Sequence, residues 1–115
     1  MFEIARASGT GMRVEKDAII VRPEARRICE FFGIDPYCSI SEGSLIITAR
    51  EKAAPDILRR LEGKGIAASV IGEVTDDKRV MVKEGGEWRK LEHPVVDPFW
   101  AAFSKAMQDN AGKSN

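Results

Sequence analysis

Two short runs, Lys78-Arg79-Val80-Met81-Val82-Lys83 and Glu87-Trp88-Arg89-Lys90-Leu91, flank Glu84-Gly85-Gly86, and no other feature restricts the fold as strongly. A Gly-Gly pair accepts positive φ at both central positions, which a two-residue hairpin turn needs if its strands are to keep their right-handed twist. The predicted hairpin covers residues 78–83 and 87–91, with Val80 opposite Leu91, Lys83 opposite Trp88, and Glu84 and Glu87 beside the turn. An antiparallel pair placed after segments that alternate between helical and extended patterns excludes an all-parallel sheet. The fold class expected is α+β, a mixed sheet with an antiparallel hairpin, covered by helices.

The remaining segments are bounded by glycine and proline. Residues 2–8 read as the last turns of a helix closed by Gly9, with Gly the residue that accepts a left-handed C-terminal turn. That helix opens without an N-cap, so it is expected to be truncated and Met1 to begin a segment of a larger protein. Residues 12–15 and 18–21 read as short extended stretches. Pro23 starts a helix through about Phe32, stopped by Gly33, and Ala25, Ile28, Cys29 and Phe32 form one apolar stripe expected to face a core. The run Leu45-Ile46-Ile47-Thr48-Ala49 lacks alternation and predicts a strand buried on both faces. A helix over 52–62 turns Ile57, Leu58 and Leu61 inward and Arg59, Arg60 and Glu62 outward. Residues 66–74 read as a strand carrying Gly72 near its end. Asp97-Pro98 opens a last helix with Phe99, Trp100, Phe103 and Met107 on one side. Residues 1–109 are expected to form a single domain and 110–115 a frayed tail.

Charge removes several classes of partner. The 115 residues carry 18 Lys+Arg and 18 Asp+Glu, a formal net charge of zero. With no basic surplus, neither counterion-release binding to nucleic acid nor a polybasic membrane anchor is expected. Apolar runs such as Ala18-Ile19-Ile20-Val21 fall far short of the ~20 residues a membrane helix needs. No signal core follows Met1, and Cys29 and Cys38 lack CxxC spacing, so both read as reduced thiols of a cytoplasmic protein. A single histidine, His93, argues against a His-based metal site. Asp76-Asp77, near Glu73 and Glu84, reads as a solvated turn rather than a metal cluster, and no metal is expected.

One stretch concentrates groups that contact ligands. Ser39-Ile40-Ser41-Glu42-Gly43 holds two hydroxyls, a carboxylate and a glycine just before a predicted strand. The competing account is a turn whose serines satisfy local backbone groups. Ser8-Gly9-Thr10-Gly11 resembles a phosphate loop only superficially: it lacks the Gly-Lys-Ser/Thr ending and follows a helix, so a C-cap explains it better. Gly72, within Val70-Ile71-Gly72-Glu73-Val74, marks a bulge, a close backbone approach or a tight packing contact. No set of residues forms a self-sufficient active site, and no catalytic residue is assigned.

The order of these pieces resembles one family. Glu3-Ile4-Ala5-Arg6-Ala7-Ser8-Gly9-Thr10-Gly11, then Val21-Arg22-Pro23-Glu24 leading to Cys29-Glu30, is similar to the start of the C-terminal domain in the aminoimidazole ribonucleotide (AIR) synthase (PurM)/HypE superfamily. Gly33-Ile34-Asp35-Pro36, Ile40 through Ile47 and Ile71-Gly72-Glu73-Val74-Thr75 continue the match. Val96-Asp97-Pro98-Phe99-Trp100 looks like the archaeal AIR synthase-related proteins of hydrogenase expression and formation. The resemblance implies a two-domain, usually homodimeric protein that uses ATP to activate an amide, formyl or carbamoyl oxygen or to phosphorylate a substrate. It places most of the dimer interface and the acidic Mg-ATP site on an N-terminal domain absent from residues 1–115, so no cofactor is expected on this chain alone. It also implies that Ser39, Ser41, Glu42, Gly43 and Gly72 contribute to the nucleotide or substrate cleft. Family members that carry a carbamoyl group on a C-terminal cysteine differ from this sequence, whose last eight residues contain none. The alternative is a stand-alone homodimeric binding or regulatory module. A third reading is an interaction domain anchored by Trp88, or by Phe99 and Trp100.

Overall fold

The structure is a computed structural model, and it describes residues 1–39, 43–93 and 98–111. Two compact units make up the chain: one comprises Met1–Ile20 and Leu45–His93, and the other holds the described residues of 21–44 and 98–111.

The first unit is built on a four-stranded sheet in the order β2-β1-β3-β4, formed by β1 (Gly11–Glu15), β2 (Gly72–Thr75), β3 (Val80–Glu84) and β4 (Glu87–Lys90). β1 runs antiparallel to β2 and parallel to β3, so the sheet is mixed as the sequence predicts. The hairpin has the predicted register, Lys83 opposite Trp88 and Glu84 opposite Glu87, and the Leu91 N–H donates to the Val80 carbonyl at 2.8 Å. Its turn glycines have φ of 58° at Gly85 and 87° at Gly86, the left-handed values that type I′ geometry demands. Helix α1 (Phe2–Ser8) closes at Gly9 with φ 67° and lays Ala5 on the sheet. Ala5, Met12, Val14 and Val80 are buried together there, with Phe2, Ile4, Ile19, Ile71 and Leu91 partly buried around them. Beside this core, Glu84 joins Lys16 (Nζ–Oε1 2.6 Å) and Arg89, tying the 3-10 turn Lys16–Ala18 to the hairpin.

Helix α3 (Ala54–Glu62) follows a single 3-10 turn, Glu51–Ala53. Ile57, Leu58 and Leu61 are half-buried and Arg59, Arg60 and Glu62 exposed, as the periodicity predicts. Three expected extended segments differ. Leu45 to Ala49 joins no sheet and stays exposed, Leu45 at 82%. An unbroken apolar run records hydrophobicity without naming a partner strand, and two-sided burial does not follow from it. Only Gly72–Thr75 of the 66–74 segment pairs as a strand. Residues 16–18 take the 3-10 turn because Lys16 and Asp17 interrupt the apolar pattern, leaving Ile19 extended after it.

In the second unit, α2 (Pro23–Phe32) starts at Pro23 and ends at Gly33 with φ 64°, the predicted limits. Its stripe is largely unburied: Ile28 is 60% exposed and Phe32 50%. α4 (Pro98–Ala111) carries Phe99, Trp100 and Phe103 in mutual ring contact, with centroids 5.3–6.2 Å apart, and these side chains are also exposed. Helical period specifies which face is apolar and is silent about what covers it. The Asp97 cap lies outside the described residues. Cys29 and Cys38 are not joined in a disulfide. Among the described residues, no helix is long and apolar enough to cross a membrane.

Candidate functional site

The described residues among those assigned from the sequence, Ser39, Gly43 and Gly72, fall in separate units. Ser39 is half-buried and engaged in a polar contact, beside the turn in which Asp35 Oδ1 accepts from the Tyr37 N–H at 2.9 Å. Gly43 has φ 81° with open space where a side chain would sit. That conformation strains any residue with a Cβ, and Gly43 itself is exposed. Ser41 and Glu42 lie outside the described residues, as does Ile40.

Gly72 belongs to the first unit, directly opposite Val14 on the adjacent strand. A Cβ built there would overlap the Arg13 carbonyl oxygen and come within 2.9 Å of Arg13 C and Val14 Cα. Of the accounts open for this glycine, the structure shows close backbone approach: β2 lies against β1 with no room for a side chain between them.

A second constrained glycine escaped the sequence reading as such. At Gly11 a Cβ would meet the Arg79 carbonyl oxygen at 2.5 Å and Thr75 Oγ1 at 2.6 Å. Above it, Asp77 Oδ1 accepts from the Thr75 hydroxyl at 3.0 Å and the Arg79 N–H at 3.1 Å, while Oδ2 pairs with the Arg79 guanidinium at 3.1 Å. The backbone N–H of Arg79, then the Thr75 hydroxyl, hold the Asp77 carboxyl below its ordinary range. Asp77 is therefore a turn-forming residue that fixes the approach to β3. No group of three His, Cys, Asp or Glu side chains that could hold a metal occurs among the described residues. Because the folded pKa is depressed, the stabilisation from Asp77 is complete above the ordinary carboxylate value and disappears as pH falls through the folded one. Asp77→Asn should lower the urea midpoint at pH 6, and the gap to the unmodified chain should narrow as pH falls below the ordinary carboxylate value. A gap independent of pH contradicts this assignment.

The feature without a sequence precedent is a groove between α1 and the end of β4. Phe2, Ala5, Val80 and Leu91 form its floor, and the cations Arg6, Lys78, Arg79 and Lys90 with His93 surround it. His93 stands edge-on to Phe2, with ring centroids 4.8 Å apart. Residues 6 and 78–79 are far apart in the chain; the parallel pairing of Met12 with Val80 brings them together, a register no local pattern encodes.

This mixed sheet, its helix-covered core and the glycine-mediated strand contact define the C-terminal domain of an AIR synthase-related protein. The profile of that family, "AIR synthase related protein, C-terminal domain", matches residues 1–84, and the chain belongs to it. Carbamoyl dehydratase HypE of Escherichia coli is 34% identical over 100 residues, 84% of this chain and 30% of that protein. A putative hydrogenase expression/formation protein of Methanocaldococcus jannaschii is 27% identical over the same coverage of 84% and 30%. The crystal structure of E. coli HypE superposes with a TM-score of 0.72 at 34% identity, over 84% of this chain and 31% of that one. A chain in the crystal structure of a HypE–HypF complex matches with a TM-score of 0.71 at 29% identity, over 81% of this chain and 32% of that one. The chain thus spans about a third of the length of these relatives.

Proposed function

We infer that this chain serves as the C-terminal, cleft-forming part of a HypE-like protein of hydrogenase maturation, and that it acts with an N-terminal ATP-binding domain rather than alone. The observation that carries this reading is the joint match of fold and sequence to E. coli HypE, a TM-score of 0.72 at 34% identity across 84% of the chain. When bound to the N-terminal domain, ATP would supply the phosphoryl group that activates an amide or carbamoyl oxygen. This chain's part would be to bind and orient. Glu42 would accept a hydrogen bond from the substrate, and the main chain at the exposed Gly43 would offer N–H groups to an anion, with Ser39 and Ser41 beside them. Gly72 would contribute by keeping β2 close against β1. The homodimer implied by the resemblance belongs to the same proposal, its contacts assigned to the N-terminal domain.

A chimera tests this. Residues 1–115 replace the matched segment of E. coli HypE, and ATP turnover is measured together with hydrogenase activity in a strain lacking HypE. Turnover within about tenfold of the parent is expected, and Glu42→Ala in the chimera should lower it by about tenfold or more, the worth of one hydrogen bond to a charged group. Tight nucleotide binding by residues 1–115 alone, or turnover indifferent to Glu42→Ala, counts against the reading.

A further inference from the structure

β4 is an edge strand, and its pairing fixes which of its backbone groups are unused. The Leu91 N–H bonds to Val80, so Leu91, Arg89 and Glu87 direct their main-chain groups toward β3. Trp88 and Lys90, the residues between them, direct N–H and C=O outward. Among the described residues no hydrogen bond reaches those outward groups, and every side chain of β4 is exposed. An uncovered strand edge of this kind is a template for another extended chain.

The groove lies where this edge ends, and its charge is one-sided. Arg6, Lys78, Arg79 and Lys90 face it with Glu92 as the single carboxylate lining it, in a chain whose net charge is zero. Lys90 shares Glu92 at 3.4 Å and Arg79 shares Asp77 at 3.1 Å, whereas Arg6 and Lys78 have no carboxylate partner among the described residues. Lys78 is also the one non-glycine residue described with positive φ, at 58°, which holds it at the turn into β3. Beneath these cations Phe2 and Leu91 provide partly buried apolar surface.

We propose that the β4 edge and the groove beside it form a docking site for an extended acidic segment of a partner protein. That segment adds a strand through the outward groups of Trp88 and Lys90, and seats an apolar side chain against Phe2 and Leu91. Main-chain bonds supply the attachment, while Arg6 and Lys78 select acidic over basic sequences. The site shares no residue with the loop 39–43 or with Gly72 and stands whether or not the ATP-dependent reading holds.

The test is titration of the 115-residue chain with the peptide Asp-Val-Glu-Val-Asp-Phe, followed by calorimetry and by amide NMR shifts. Binding is expected below about 1 mM, with the largest shifts at Trp88, Lys90 and Leu91, and with weakening as salt rises. The paired substitution Arg6→Glu and Lys78→Glu, both on exposed side chains, should weaken binding by at least about tenfold with the circular dichroism spectrum unchanged. Lys90→Pro removes an outward N–H together with one cation of the groove and should produce a comparable loss. The proposal is overturned by any of three results: no binding at 1 mM, equal affinity for Lys-Val-Lys-Val-Lys-Phe, or sedimentation showing that β4 is already covered by a second copy of the chain.

Discussion

Gly72→Val should unfold the first unit or leave it with only the β1–β3–β4 hairpin side of its sheet. The atoms that a Cβ meets at this position belong to the main chain of Arg13 and Val14, and main chain in the middle of a sheet cannot swing aside as a side chain can. Relief requires β2 to move outward, which breaks the Val14–Gly72 and Arg13–Glu73 pairing and the bond from the Glu15 N–H to the Ile71 carbonyl, 2.8 Å long. Overpacking that flexible side chains can absorb costs about 1–3 kcal/mol. Loss of a strand adds the backbone bonds on top, and the total approaches the ~5–15 kcal/mol by which domains are stable at all. Far-UV circular dichroism and urea unfolding measure it. Gly72→Ala should already lower the midpoint severely, whereas Gly43→Ala, which has open space around it and only an unfavourable φ of 81°, should cost about 1–2 kcal/mol. If Gly72→Ala unfolds with the midpoint of the unmodified chain, the close approach of β2 to β1 is wrong.

What the sequence made legible follows from how local each signal is. Pro23 and Gly33 bracket α2, Gly9 ends α1, and Gly85-Gly86 sets the hairpin register to the residue, because each is decided by the φ of one or two residues. The strand over 45–49 and most of the 66–74 strand went astray because pairing is a property of two segments, and the apolar character of one does not reveal the other. The candidate residues divide in the same way. Gly72 stands out in the sequence because a glycine beside Val70, Ile71 and Val74 is itself a local anomaly. Gly11 reads locally as part of a helix-ending Gly-Thr-Gly, although its constraint comes from Thr75, Asp77 and Arg79, more than sixty residues away. Arg6 and Lys78 look like ordinary solvated charges until the parallel β1–β3 pairing places them at one groove. Family resemblance supplied what local physics could not, an ordering of short motifs that ties the chain to the C-terminal domain family.

Val14→Asp should be at least as damaging, for an electrostatic reason. Val14 is 3% exposed on β1, between Gly72 of β2 and Val82 of β3, so its neighbours on both sides are backbone or apolar. The buried cluster it joins contains Ala5, Met12 and Val80 and no cation or hydrogen-bond donor to receive a carboxylate. An ionised carboxylate would stay buried there only at a cost far above the stability of the unit. It would therefore be neutral in the folded state, its pKa driven up, and folding would be penalised more as pH rises above the ordinary aspartate value near 4. Against this, Val14→Ala removes two methyl groups and leaves a small cavity, about 2 kcal/mol. The two variants separate burial from charge. Val14→Ala should lower the urea midpoint equally at pH 4 and pH 8. Val14→Asp should be unfolded at pH 8 and recover part of its structure near pH 4, where the aspartate can enter the core protonated. Equal stability of Val14→Asp at both values would show that the side chain reaches water, and that the face of β1 under α1 is not the centre of the core.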